Sequence, residues 1–219
     1  MDMLEGVGRR SGNEMLLDLG QNTLNGYERN GLFRNNGDGT FTDVGWLNGV
    51  DKDNDGRGLA ILDIDRDGRL DLALRNYRQP AVLLRNTGAE GNFATFKLQG
   101  TTSNRDAVGA RIRVRTGDAW QTRVVNIGSG YVSGSTLHQH FGVGAAAALE
   151  EVEIEWPSGL TSRLGPLEVN QAYHVIEQSD EAGSAPSVSV LESSTRRAPS
   201  RYPRQIGEYD AEGSVSASR

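Results

Sequence analysis

Nine residues, Asp63-Ile-Asp-Arg-Asp-Gly-Arg-Leu-Asp71, hold the densest chemistry in the chain. Asp63, Asp65, Asp67 and Asp71 stand at positions one, three, five and nine, and Gly68 stands at six, where the backbone must turn sharply. Calcium takes six to eight hard oxygen ligands at roughly 2.3–2.6 Å, and a short loop of alternating aspartates supplies such a set. The spacing predicts calcium at Asp63, Asp65, Asp67 and Asp71, with the carbonyl of Arg69 as a fifth ligand. Asp and Gly also favour plain turns, which is the alternative reading. Four carboxylates this close repel one another unless a cation sits among them.

The elements that must carry the loop are strands. Leu59-Ala-Ile-Leu62 precedes it, and Leu70-Asp-Leu-Ala-Leu74 alternates at period two behind it. An EF-hand would need flanking helices and a bidentate Glu at position twelve, which here is Leu74. A calcium-binding β-hairpin is therefore predicted. A second run, Asp51-Lys-Asp53-Asn-Asp55-Gly, has Leu59 at its ninth position. It reads as a turn into the next strand, with a weak second metal site as the alternative.

The whole chain narrows the setting. Its 219 residues allow one large or two small domains. A net charge of −6 argues against a nucleic-acid partner, which normally demands a basic face. No apolar run of 18 residues is present, so no membrane span is expected. The 28 glycines suit tight turns and short strands better than helices. Without cysteine there is no disulfide, thiolate zinc site or cysteine nucleophile. Met1-Asp-Met-Leu-Glu5 has neither the basic nor the apolar region of a signal peptide. Since weak calcium sites serve where calcium is abundant, we expect an extracytoplasmic (periplasmic or secreted) location, the chain being a piece of an exported protein.

An internal repeat brackets the aspartate loop. Leu32-Phe-Arg-Asn-Asn-Gly-Asp-Gly-Thr-Phe41 recurs as Leu83-Leu-Arg-Asn-Thr-Gly-Ala-Glu-Gly-Asn-Phe93, and each copy reads as a β-hairpin. Residues 32–41 followed by 63–71 resemble the FG-GAP/VCBS repeat of integrin-like β-propellers. That resemblance covers roughly residues 28–95 and implies a calcium-binding hairpin on each blade. A closed propeller needs at least four blades and this chain holds one to two, so open strand edges and self-association through them are expected.

From about residue 96 the pattern changes. Phe96–Leu98, Ala110–Arg115, Gln121–Val125 and Leu149–Trp156 alternate apolar with polar residues, as half-buried antiparallel strands do. Ser103-Asn-Arg105, Val108-Gly-Ala110, Gly128-Ser-Gly-Tyr131, Ser133, His140-Phe-Gly-Val-Gly144 and Trp156-Pro-Ser-Gly159 resemble the ASPIC/UnbV domain. In bacterial proteins and in the cartilage acidic protein family that domain follows FG-GAP/VCBS propellers. Gly134 stands where the family usually has glutamine, and Val143 where it has leucine. The expected fold is all-β: partial propeller blades over 1–95, an antiparallel sandwich or barrel-like ASPIC/UnbV domain over 96–178, and a disordered tail over 179–219.

Other candidates have plainer readings. His138 and His140, two apart, could bind copper or zinc, but no third ligand is evident and His140 packs more simply beside Phe141. Trp156 reads as a core plug before it reads as a sugar platform. The row Arg111, Arg113, Arg115 could meet an acidic polymer, or pair with neighbouring glutamates. No Gly-x-Ser-x-Gly elbow, dinucleotide fingerprint or Walker loop is present. The reading is a calcium-stabilised, non-catalytic module that recognises a protein or polysaccharide partner. The alternatives are an enzyme or accessory subunit of enediyne-like secondary metabolism, which the UnbV name suggests, and a structural part of a surface assembly.

Overall fold

A computed structural model describes residues 28–88, 91–131, 133–178 and 186–193. The fold is all-β, as the alternation of apolar and polar residues requires, with one short 3-10 turn at Trp46–Asn48.

Two small sheets come first. Strands β1 (Phe33–Asn35) and β2 (Phe41–Asp43) form a hairpin, as the repeat predicts. Asn35 Oδ1 accepts the amide of Gly37, and Asp38 Oδ1 that of Thr40, which closes the turn between them. Then β3 (Gly56–Leu62), β4 (Asp71–Asn76) and β5 (Val82–Leu84) make a three-stranded antiparallel sheet in that order. Leu62 pairs with Asp71, so residues 63–70 are the connection of a β-hairpin, not a helix-flanked loop.

The remainder is a sandwich. One sheet runs β12 (Thr161–Leu164), β11 (Glu151–Glu155), β7 (Arg111–Thr116), β8 (Ala119–Val124). The other runs β15 (Ser187–Ser193), β14 (Gln171–Ile176), β6 (Asn92–Gln99), β9 (Gln139–Gly144). A short ribbon pairs β10 (Ala148–Leu149) with β13 (Leu167–Glu168). Inward residues of both sheets share one core, among them Phe96, Ile112, Val114, Phe141, Val152, Ile154 and Val175, all essentially without exposure. β6 and β14 run parallel while the other pairs are antiparallel; all four strands of the opposite sheet lie between them in sequence.

Two expectations change. The second repeat copy is not a hairpin: Val82–Leu84 pairs with β4, whereas Asn92 and Phe93 open β6 of the sandwich. Phe93 lies in β6 on the face opposite the core residues Ala94 and Phe96, where its ring stacks on His140, so the boundary placed at 95/96 falls within β6. Within the expected tail, Ser187–Ser193 forms β15 along the edge of β14. The short alternation Ser187-Val-Ser-Val190 suffices there, because β14 offers a ready-made edge; the rest of the expected tail lies outside the described residues.

The three-stranded sheet is tied to the sandwich through β3 and through the aspartate loop. On the outer edge of β3, the amide of Ile61 donates to Ser135 Oγ at 3.2 Å, and the Ile61 carbonyl accepts the amide of Thr136. That edge, expected to be open, is met there by the loop leading into β9. At the turn of the aspartate loop, Gly68 lies against the ring of Phe93.

Candidate metal centre

The loop 63–70 is built by its own carboxylates. Asp63 Oδ1 accepts the amide of Asp67 at 3.1 Å and its Oδ2 that of Gly68 at 2.8 Å, folding the chain back over the first aspartate. Asp71, buried at the start of β4, accepts the amide of Ile64 on Oδ2 and that of Asn86 on Oδ1, at 3.0 and 2.8 Å. Gly68 has φ +85°, and a Cβ there would stand 2.0 Å from the Phe93 ring. Both the turn and the packing thus require glycine at position six.

One carboxylate oxygen from each of Asp63, Asp65 and Asp71 lies within 4.8 Å of the others. Asp65 Oδ1 is buried with no hydrogen-bond partner. Burial pushes the Asp63 carboxyl above its usual range, with repulsion from Asp67 and Asp65 adding, against the pull of the two amides it accepts. Burial likewise raises Asp67, helped by Asp65 and opposed by Arg69. Buried, mutually repelling oxygens with unused lone pairs are a donor set of hard-cation type, and calcium suits it by charge and by ligand class.

Of the residues expected at the site, Asp63, Asp65 and Asp71 are brought together. Asp67 faces elsewhere: its Oδ1 accepts the Arg69 amide at 2.9 Å, and its Oδ2 meets the guanidinium of Arg69. Arg69 also donates from Nε to the carbonyl of Asn86 at 2.8 Å. Sequence reasoning missed Arg85, whose guanidinium pairs with Asp65 Oδ2 and lies 3.5 Å from Asp67 Oδ2. It also missed Asn86, which the strand β5 delivers beside Asp71. The available signal was the Leu-x-Arg-Asn shared by both repeat copies.

The other candidates are accounted for by packing. Asp51 pairs with Arg29 and the buried Asp55 with Arg57; Asp53 does not join them in a metal-like group among the described residues. His140 stacks on Phe93 with ring centroids 5.6 Å apart, and its Nδ1 lies 3.3 Å from Thr95 Oγ1. Burial, with Arg123 adding, holds that imidazole below its usual range; burial does the same to His138, with Lys97 and Arg66. Trp156 is buried and donates from Nε1 to Ser162 Oγ at 2.8 Å, so its ring is not a platform for a sugar. Arg111, Arg113 and Arg115 each stand directly opposite Glu155, Glu153 and Glu151 on β11 and pair with them.

Among the described residues no helix is long and apolar enough to cross a membrane. Residues 20–74 match the family model for an FG-GAP-like repeat, and residues 100–182 match that for ASPIC and UnbV. Cartilage acidic protein 1 of Xenopus tropicalis is 41% identical over 73 residues, which are 32% of this chain and 11% of that protein. Cartilage acidic protein 1 of Homo sapiens is 41% identical over 63 residues, 28% of this chain and 10% of that protein. The aligned part of the chain spans about a tenth of the length of these curated relatives. The chain thus carries an FG-GAP-like repeat, which holds the aspartate loop, followed by an ASPIC and UnbV domain.

Proposed function

We propose that the chain is a calcium-stabilised, non-catalytic interaction module that acts outside the cytosol and recognises a protein or polysaccharide partner. The observation that carries this reading is the gathering of Asp63, Asp65 and Asp71 around one point, with an unpartnered buried oxygen on Asp65. Those three residues would hold the ion, with the Arg69 carbonyl as a further ligand. The bound ion would offset the repulsion in the loop and fix its turn against Phe93 of the sandwich. The chain's similarity to a protein named for cartilage, and its FG-GAP-like repeat, support an interaction role in a calcium-rich setting.

Exposed apolar side chains near the first hairpin support a partner-binding role. Phe33 and Phe41 lie on one face of it, each 62% exposed, and Trp46 and Leu47 follow close behind. Calorimetry of the chain against its Asp65→Ala variant tests the metal site. Calcium heat in the first and none in the second is the expected result; identical isotherms, or none in either, would overturn the assignment.

A further inference from the structure

Resting on the calcium reading above, we infer that Arg85 is a positioning residue of the metal centre: it holds Asp65 by one oxygen so that the other is left for the ion. Asp63 and Asp71 are each fixed by two backbone amides. Asp65 has no such amide; both its oxygens are buried without a hydrogen bond, and of the two only Oδ2 is given an ion pair, with the guanidinium of Arg85. A carboxylate anchored on one oxygen and bare on the other is how an outer contact orients a metal ligand.

Arg85 comes from outside the loop. It follows β5, and its neighbour Asn86 receives Arg69 Nε on its carbonyl and gives its amide to Asp71. Residues 85 and 86 therefore strap the loop from the third strand of its sheet. The Arg85 side chain is 12% exposed, so its charge is sheltered. Asp67, contacted by both Arg69 and Arg85, serves as their counter-charge, which explains why it stands apart from the other three. Four carboxylates against two guanidiniums leave two negative charges, which one divalent ion balances. The shared Leu-x-Arg-Asn gains a role here: Asn86 closes its own turn through Gly88, as Asn35 does through Gly37, while Arg85 reaches the loop.

Charge alone predicts the opposite effect of mutation. Removing a cation beside the site should tighten binding of another cation. Loss of an orienting contact instead weakens metal affinity, by about 10–100-fold. Calcium titrations of the full chain, of Arg85→Gln and of Arg85→Lys, with metal-free urea melts of each, separate the two.

We expect Arg85→Gln to bind calcium at least about tenfold more weakly while still folded in the metal-free melt. Arg85→Lys should fall between, because an ammonium keeps the charge but not the fork. Tighter or unchanged binding by Arg85→Gln would overturn the inference while leaving the calcium site standing. If Arg85→Gln does not fold, the lysine variant decides in the same way. Absence of calcium binding by the unmodified chain would remove the calcium reading itself, and this inference with it.

Discussion

The amide of Ser158 donates to Ser103 Oγ at 3.0 Å, joining two turns 55 residues apart in the chain. The hydroxyls of both residues then converge on Glu177 Oε1, at 2.8 Å from Ser103 and 2.6 Å from Ser158. Glu177 Oε2 accepts the amides of Thr101, Thr102 and Ser103 at 2.8–3.0 Å. One buried carboxylate at the end of β14 thereby fastens the 101–103 turn and the Trp-Pro-Ser-Gly turn to the sandwich. Burial pushes its pKa up, but five donors outweigh burial and hold it at about 2, below the ordinary 4.5.

Because the folded pKa is depressed, Glu177 stabilises the protein above its unfolded value, and that share is lost as pH falls from about 4.5 towards 2. Its worth near neutrality is about 3 kcal/mol. Urea melts of Glu177→Gln should show a loss of that order at pH 7, shrinking steadily below pH 4.5. A difference that stays constant down to pH 2 would count against the clasp.

Calcium should raise the melting temperature. A ligand held only by the folded state adds about 2.7 kcal/mol at a free concentration one hundred times its Kd. Scanning calorimetry in millimolar calcium and in chelator provides the comparison, and coincident melts would show that the ion is not structural.

Gly68→Ala should destabilise the protein by roughly 2–4 kcal/mol, combining a left-handed backbone with overpacking against Phe93. Pairing it with Phe93→Leu separates the two causes. The double variant should recover the packing share and keep the backbone share, since φ at residue 68 is +85° regardless of its neighbour. If the double variant is no more stable than Gly68→Ala, the contact with Phe93 contributes nothing.

A chain ending at Ser193 should melt above one ending at Gln178, because β15 pairs along β14 from Gln171 to Ile176. Each kcal/mol lost with β15 lowers Tm by about 2–4 °C for a protein of this size. Equal melting temperatures would mean that the strand adds no stability.

The sequence by itself determined the all-β class, the strands on either side of the loop and the four aspartates spaced along it. All of these rest on short-range facts: an alternation of two, an Asp spacing of two, a glycine where the chain must turn. It also marked Ser103, Ser158 and Trp156 through their resemblance to a family, without showing what they touch. Only the tertiary structure decided that Asp67 turns to Arg69 and Arg85, that Phe93 belongs to the sandwich, and that Ser187–Ser193 extends β14. The arginine row was legible as a wet face, but its pairing with Glu151, Glu153 and Glu155 depends on the register of β7 on β11. Glu177 carried no local signal, because five of its donors arrive from turns distant in the chain. Such contacts depend on which strands become neighbours, and that is set by burial of the whole core rather than by any window of residues.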